Sequence, residues 1–372
     1  MVTAIATSGR MVDVVRGHAG AGKTYAVDAL RDAAQRDGLR NGTGIPAVTA
    51  ASLVGELHTG RARLDDRTIV VIDEAAMLGT RHLAALIDAA EKADAKVVCI
   101  GDDHQLPEVD AGGLFRALAE RLPTISLTEN RRQRDPVEQA ALLDLRSGRI
   151  DEALGRLQRN GDNAELVRAT LVDDWYTSVL AGKHAVMAAP SRADVADLNE
   201  RAREHLRADH QLGAVAADIA GLELRVGDRV IAHRNRYDLG IMNGDTGRVS
   251  SADDRYVYVA LDDHRRMRIP HDYVADGLLT HAYATTVHKA QGMTCDATFL
   301  LGDDGLYAEL GYTGLSRGRD TNRLYAVAGA WDTKPGQALD PLEHVRAALA
   351  SSHAQTAAID IEPVSHSHGM RR

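Results

Sequence analysis

The sequence predicts an α/β protein: two units, each built on a parallel sheet, with a small antiparallel β-barrel inserted in the second. Three observations carry this. Short apolar runs rich in Val and Ile alternate with helical stretches, the pattern of parallel strands covered on both faces. The pattern restarts after Pro123. Between Leu222 and Asp276 it gives way to alternating apolar and polar residues broken by Asn243-Gly244-Asp245 and Asp262-Asp263, the texture of short antiparallel strands.

In chain order, Met11 to Val15 reads as a strand that runs into a glycine cluster, and Thr24 to Gln35 as the helix after it. Thr68 to Asp73 is a second strand, Thr80 to Ala93 a helix and Lys96 to Gly101 a third strand. Past Pro123 come a short strand at Ile125 to Leu127, helices to about Asn160, a strand at Ala185 to Ala189 and a helix from Ser191 to Arg207. Tyr256 to Leu261 is the clearest strand of the insertion. The α/β texture returns near Thr280 and runs to Ala330, followed by a helix at Leu342 to Ala350 and a polar end. The expected domains are 1–123, 124–221 with 277–331, the insertion 222–276, and a tail at 332–372.

Composition excludes several classes. With 44 Lys+Arg against 53 Asp+Glu among 372 residues the net charge is −9, so overall basicity does not hold a nucleic acid, although a local groove still can. Most cations are Arg, which a GC-rich coding bias would also produce. Cys99 and Cys295 lack metal-type spacing, which makes a disulfide framework or zinc ribbon improbable. No run approaches the ~20 apolar residues that span a bilayer, and the N-terminus lacks a secretory pattern. A cytoplasmic protein without membrane contact is expected.

Gly17-His18-Ala19-Gly20-Ala21-Gly22-Lys23-Thr24 fits GxxxxGK[ST] between a strand and a helix. Such a loop closes backbone N–H groups round phosphate oxygens, Lys23 reaches the outer phosphates, and the Thr24 hydroxyl can ligate Mg²⁺. Asp73-Glu74 ends an apolar strand at the edge of the sheet where ligands sit, so Asp73 can hold Mg²⁺ and Glu74 can orient and deprotonate a water. Taken alone, that pair is equally a solvated acidic turn. Gln105, after the third strand, stands where a neutral amide can sense a terminal phosphate.

Gly17 to Thr24, Asp73-Glu74-Ala75-Ala76-Met77 and Gly101 to Pro107 resemble motifs I, II and III of superfamily 1 DNA helicases, in the branch of RecD and the helicase part of TraA-type conjugative relaxases. Leu127 to Gln133 resembles motif IV, Tyr283 to Gly292 motif V, and Tyr312 to Arg319 motif VI. Gly227-Asp228-Arg229-Val230 and Asn243 to Gly247 are similar to the SH3-like insertion of that family. The resemblance implies two RecA-like domains, ATP and Mg²⁺ as cofactors, single-stranded DNA as partner with 5′ to 3′ travel, and relaxase or other conjugation and recombination proteins nearby. The relaxase half, with its histidine triad and nicking tyrosine, has no counterpart here.

The resemblance also assigns roles. Nucleotide contacts fall on Gly17, Ala19, Gly20, Ala21, Gly22, Lys23, Thr24, Tyr25, Gln291 and Gly292, and DNA contacts on His104, Thr286 and His288. Arg132 and Arg317 would reach across from the second domain to the γ-phosphate; the alternatives are a solvated helix start for Arg131, Arg132 and Arg134, and a surface pair for Arg317 with Arg319. Base stacking is confined to a few aromatics such as Trp175, Tyr237, Tyr283 and Tyr312. His366 and His368 lack a third metal ligand at useful spacing.

Two departures stand out. Only ten residues precede the first strand, leaving no place for the family's adenine-recognising glutamine segment, and the DNA-contacting motif Ia is missing where the first helix runs through Asp37 into Arg40 to Pro46. ATP binding is therefore better supported than unwinding. The competing readings are a truncated or degenerate P-loop module that binds nucleotide and DNA without unwinding, and a P-loop ATPase acting on protein or RNA.

Overall fold

The computed structural model describes residues 1–36, 48–107, 112–162, 164–303, 305–327 and 341–354. The segment 37–47, to which the loss of motif Ia is assigned, and His366 and His368 lie outside these residues. The chain forms two compact units: Met1–Ala153 with Tyr307–Ser316 and the residues from Leu349, and Leu154–Leu306 with Arg317–Ala348.

The first unit contains α1 (Val2–Ala6), β1 (Val12–Gly17), α2 (Lys23–Arg36), α3 (Ala50–His58), β2 (Ile69–Ile72), α4 (Thr80–Lys92), β3 (Lys96–Gly101), α5 (Leu114–Arg121), β4 (Thr124–Leu127) and α6 (Pro136–Arg146); α7 (Ile150–Arg156) closes it. Its sheet is parallel, in the order β2-β3-β1-β4. Alternation along β1 and β3 splits the core. Val14, Val97 and Cys99 pack with Leu83, Leu86 and Phe115 on one face, while Val15, Val98 and Ile100 pack with Leu30 and Ile5 on the other. Covering both faces explains why these strands read as continuous apolar runs. The exception is Asp13, 1% exposed, whose carboxylate is met by Lys96 Nζ at 2.8 Å, Ser8 Oγ at 2.7 Å and Arg10 Nη1 at 3.3 Å.

One expectation is corrected. The short strand after Pro123 does not open the second unit: β4 pairs with β1, from Val14 opposite Thr124 to Gly17 opposite Leu127. A proline and a new apolar run mark a new element, and they do not say which sheet receives it.

The second unit contains β5 (Gln158–Asp162), α8 (Ala164–Leu180), β6 (Ala185–Ala189), α9 (Arg192–Ala208), β7 (Val215–Ile219), β8 (Leu222–Arg225), β9 (Arg229–Ala232), β10 (Thr246–Ala252), β11 (Tyr256–Leu261), β12 (Arg266–Pro270), α10 (His271–Ala275), β13 (Leu279–His281), β14 (Ala284–Thr286), α11 (Val287–Ala290), β15 (Cys295–Gly302), β16 (Gly318–Val327) and α13 (Pro341–Ala350). Between β15 and β16 the chain passes to the first unit, where it forms α12 (Ala308–Leu315), and returns. The second parallel sheet runs β14-β6-β15-β16-β5. Cys99 and Cys295 are both buried free thiols, and burial pushes Cys99 up to about 12.

The insertion begins earlier and ends later than the alternation suggests. It comprises a β7–β8 hairpin and an antiparallel sheet ordered β12-β11-β10-β9-β13, sharing one apolar core. Among the described residues β12 and β13 do not pair with each other, so the ladder is open where a closed barrel is expected. The short helix α10 fills that gap, burying Tyr273 and Val274. Asp228 anchors the insertion to α9: fully buried, it accepts Arg203 Nε and Nη2 at 3.2 Å each, Tyr283 Oη at 2.7 Å and Arg225 N at 2.7 Å. Despite burial, which works the other way, these partners and His281 hold its carboxyl far below the usual range.

Candidate functional site

β1 ends at Gly17 and the next five residues turn the chain into α2. Gly20 has φ +76°, and a Cβ there would lie 2.5 Å from Asn130 Oδ1 and 2.8 Å from Arg132 Cβ, so both backbone and space demand glycine. Lys23 folds its stem over Gly17, where a Cβ would meet its Cγ at 2.6 Å. Ala26 N is the amide that bonds back to Gly22 O, at 3.0 Å. Those of Lys23, Thr24 and Tyr25 precede this first helical donor and, as first-turn amides, face the positive end of the helix dipole. The result is a cradle for an anion with several oxygens. The side chain of Tyr25 stands 75% exposed at its rim.

Two carboxylates face this cradle. Glu74 follows β2 in a left-handed conformation, φ 49° and ψ 39°, and its Oε2 lies 3.5 Å from Lys23 Nζ, a side chain only 10% exposed. Asp73 accepts the Glu74 amide at 2.9 Å. Desolvation by the surrounding protein raises the Asp73 carboxyl and the Glu74 charge adds to this, while that amide and Lys23 oppose it. A divalent cation would relieve an under-stabilised anion of this kind, and the exposed Thr24 hydroxyl is the matching hard oxygen donor. The donor set thus fits Mg²⁺.

A second network lies behind the loop. Arg146 pairs with the buried Asp102 and, at 2.9 Å, with Asp103; Arg16 Nε reaches Asp103 at 3.2 Å. Tyr312, on α12, donates its hydroxyl to Asp102 at 3.2 Å and accepts the amide of Ala19 at 3.1 Å. Thr313 Oγ1 accepts Leu106 N at 3.2 Å. Although burial works the other way, His104, Arg146 and Arg16 hold Asp103 far below the usual range. Burial and Asp102 push the Tyr312 phenol up, so it stays protonated. Asp102, Asp103 and His104 come close enough to suggest a metal, yet both acids already face guanidinium groups.

The sequence-derived residues separate as follows. Gly17 to Tyr25, Asp73, Glu74, His104, Gln105 and Arg132 all belong to the first unit, and Thr286, His288, Gln291, Gly292 and Arg317 to the second. Arg132 does not come from the second domain. It sits beside Gly20 and donates Nη1 to Ser316 O at 2.8 Å, because β4 and the loop after it belong to the phosphate-loop unit. Gln105 is 4% exposed and Arg317 2% exposed. Thr286 caps α11, its hydroxyl accepting Lys289 N at 3.4 Å, and His288 is exposed.

Three of the four aromatics offered for base stacking are buried. Trp175 donates Nε1 to Ala185 O, Tyr283 is bound to Asp228 and Tyr312 to Asp102; only Tyr237, 75% exposed, presents its ring. Sequence reading missed Asp102 and Arg146, and gave Tyr312 the wrong partner. A buried ion pair leaves no periodic trace, and only the spacing of motif VI pointed toward Tyr312.

This fold and cradle define a P-loop NTPase of the RecA-like class. Residues 1–166 match the family model described as an AAA domain, and residues 281–325 that of the UvrD-like helicase C-terminal domain. The chain is 33% identical over 351 residues to a probable conjugal transfer protein TraA of Sinorhizobium fredii, covering 87% of this chain and 32% of that protein. It is 30% identical over 354 residues to the ATP-dependent RecD2 DNA helicase of Deinococcus radiodurans, covering 87% of this chain and 48% of that protein. Among solved structures, Pif1 helicase from Bacteroides in complex with ADP-AlF3 and ssDNA shares the fold at TM-score 0.57 and 18% identity, over 92% of each chain. Over most of its length the chain is similar to the RecD/TraA-type superfamily 1 helicases. It spans from about a third to about half the length of these two relatives.

Proposed function

We propose that this chain is the motor of an ATP-dependent DNA helicase, hydrolysing ATP with Mg²⁺ to move 5′ to 3′ on single-stranded DNA. The observation that carries it is the Lys23–Glu74 pair at the mouth of the amide cradle. A polyphosphate entering the cradle competes for Lys23, and Glu74, released from its cation, becomes a base placed to orient and deprotonate a water. Thr24 and Asp73 would hold Mg²⁺, which neutralises charge developing on the phosphates. Arg132 supplies a guanidinium beside the loop, Arg317 a second from the second unit, and such groups are worth roughly 10³ to 10⁵ in rate. Gln105 senses the terminal phosphate, Gln291 and Gly292 complete the nucleotide contacts, and His104, Thr286 and His288 touch DNA. The conjugal-transfer relatives support a relaxase or another DNA-processing protein as partner.

The test is ATP hydrolysis with and without single-stranded DNA. Stimulation by DNA, abolished in Lys23→Ala, is expected; hydrolysis indifferent to DNA, or persisting in that variant, refutes the reading. A parallel strand-separation assay separates a motor from a module that binds without unwinding.

A further inference from the structure

The second unit holds a cleft of ≈ 610 Å³ beside the edge strand β14. Four cations line it, from four places in the chain: Lys183 before β6, Arg229 on β9, Arg248 on β10 and Lys289 on α11. Among the described residues no Asp or Glu lines it, in a chain of net charge −9. Asn243, Thr246 and Thr285 add neutral polar groups, the Thr246 hydroxyl being donated to Asp262 at 2.8 Å, and His184 lies among them. Thr286 and His288 are not among the lining residues.

Local pairing leaves much of this charge unanswered. Lys289 donates to His233 Nδ1 at 2.8 Å, a neutral acceptor whose Nε2 is engaged at 2.7 Å by Thr280 Oγ1. Arg248 Nη1 donates to a carbonyl, Gly227 O at 3.1 Å, and shares the charge of Asp262 with Arg229. Arg229 is the braced member, 2.6 Å from Asp262 at the margin. Strand register puts Arg229 directly opposite Arg248, and Arg248 opposite Ala260, which itself faces Arg266 on β12. Like charges facing across strands destabilise a sheet. A bound polyanion reverses that sign. The row also continues past the cleft onto Arg268, opposite the exposed Tyr258.

We infer that this cleft binds the phosphodiester backbone of nucleic acid, at a site separate from Thr286 and His288. The inference rests on the proposed action on DNA and adds a second point of attachment to it. Several separated cations with amide and hydroxyl donors suit a repeating anion, and such contacts carry affinity without reading sequence.

The experiment measures binding of the full chain to a fluorescent single-stranded oligonucleotide and to the matching duplex across salt. It compares wild type, Lys183→Gln/Arg248→Gln and Lys183→Glu/Arg248→Glu. Both positions are exposed, and thermal melting confirms that each variant folds. For a single strand the slope of log affinity against log salt should fall by about 1.4 in the Gln pair, and for duplex by about 1.8. The arm that changes identifies the form of backbone bound. ATP hydrolysis without DNA should stay at wild-type level in both variants. Unchanged slopes on both arms, with wild type binding normally, overturn the inference and leave the helicase reading standing. Wild-type protein that binds neither oligonucleotide overturns both.

Discussion

The phosphate loop is held from both sides by single atoms. In front, Lys23 and Glu74 answer each other; behind, the Tyr312 hydroxyl accepts the Ala19 amide and is itself oriented by Asp102 and Arg146. Tyr312→Phe keeps the ring and removes the acceptor, leaving a buried N–H unpaired. A loss of about 1–3 kcal/mol in denaturant unfolding is expected. Affinity for a fluorescent ADP analogue should fall as well, since the loop loses its brace; wild-type affinity would show that the loop holds its shape without it. A second residue gives a pH signature. Burial first, then Lys289 and Arg192, lower His233 from 6.5 to about 4. Below pH 6.5 the unfolded chain binds a proton that the folded chain refuses, so stability falls as pH drops from about 6.5 to about 4. His233→Gln should flatten that part of the stability–pH curve. At this scale the glycines, Lys23 and the two carboxylates were legible, because phosphate chemistry imposes a local spacing. Tyr312, Trp175 and Tyr283 were misread as stacking surfaces because an aromatic letter does not reveal whether its ring faces water or core.

Elements were legible where one strand carries its own hydrophobic signature. Lys96–Gly101, Ala185–Ala189 and Tyr256–Leu261 appear in the structure with the bounds that their β-branched runs imply. Pairing was not legible, since β4 could join either sheet until its register with β1 is seen. The insertion likewise shows alternation in sequence, while its opening at β12 and β13 depends on how Tyr273 packs. What ties it to α9 is the nearly buried Arg203, held by Asp228 and, at 3.0 Å, by Glu223 on β8. Asp228→Ala leaves Arg203 with Glu223 as a partner and unpairs its Nε, and the expected cost is about 1–3 kcal/mol in calorimetric or denaturant unfolding. Asp228→Asn, which keeps part of the hydrogen bonding, should cost less. Equal stability of wild type and Asp228→Ala would mean that the hairpin core alone holds the insertion.

For the whole molecule, a net charge of −9 means that any grip on DNA is local, so binding should weaken steeply with salt even though bulk electrostatics repel the strand. The strand–helix alternation of each unit was readable. The membership of Tyr307–Ser316 was not, because that stretch lies between two strands of the second sheet and yet packs in the first unit. This has a practical corollary for anyone dissecting the protein. A fragment cut at Ala153 would keep every glycine of the nucleotide loop but lose the phenol and threonine that support it from behind, exposing Asp102 and Arg146 to water. Such an excised piece should bind nucleotide more weakly, and appending residues 307–316 through a flexible tether should restore the affinity. Boundaries drawn along the polypeptide are therefore poor guides to where this chain can be divided.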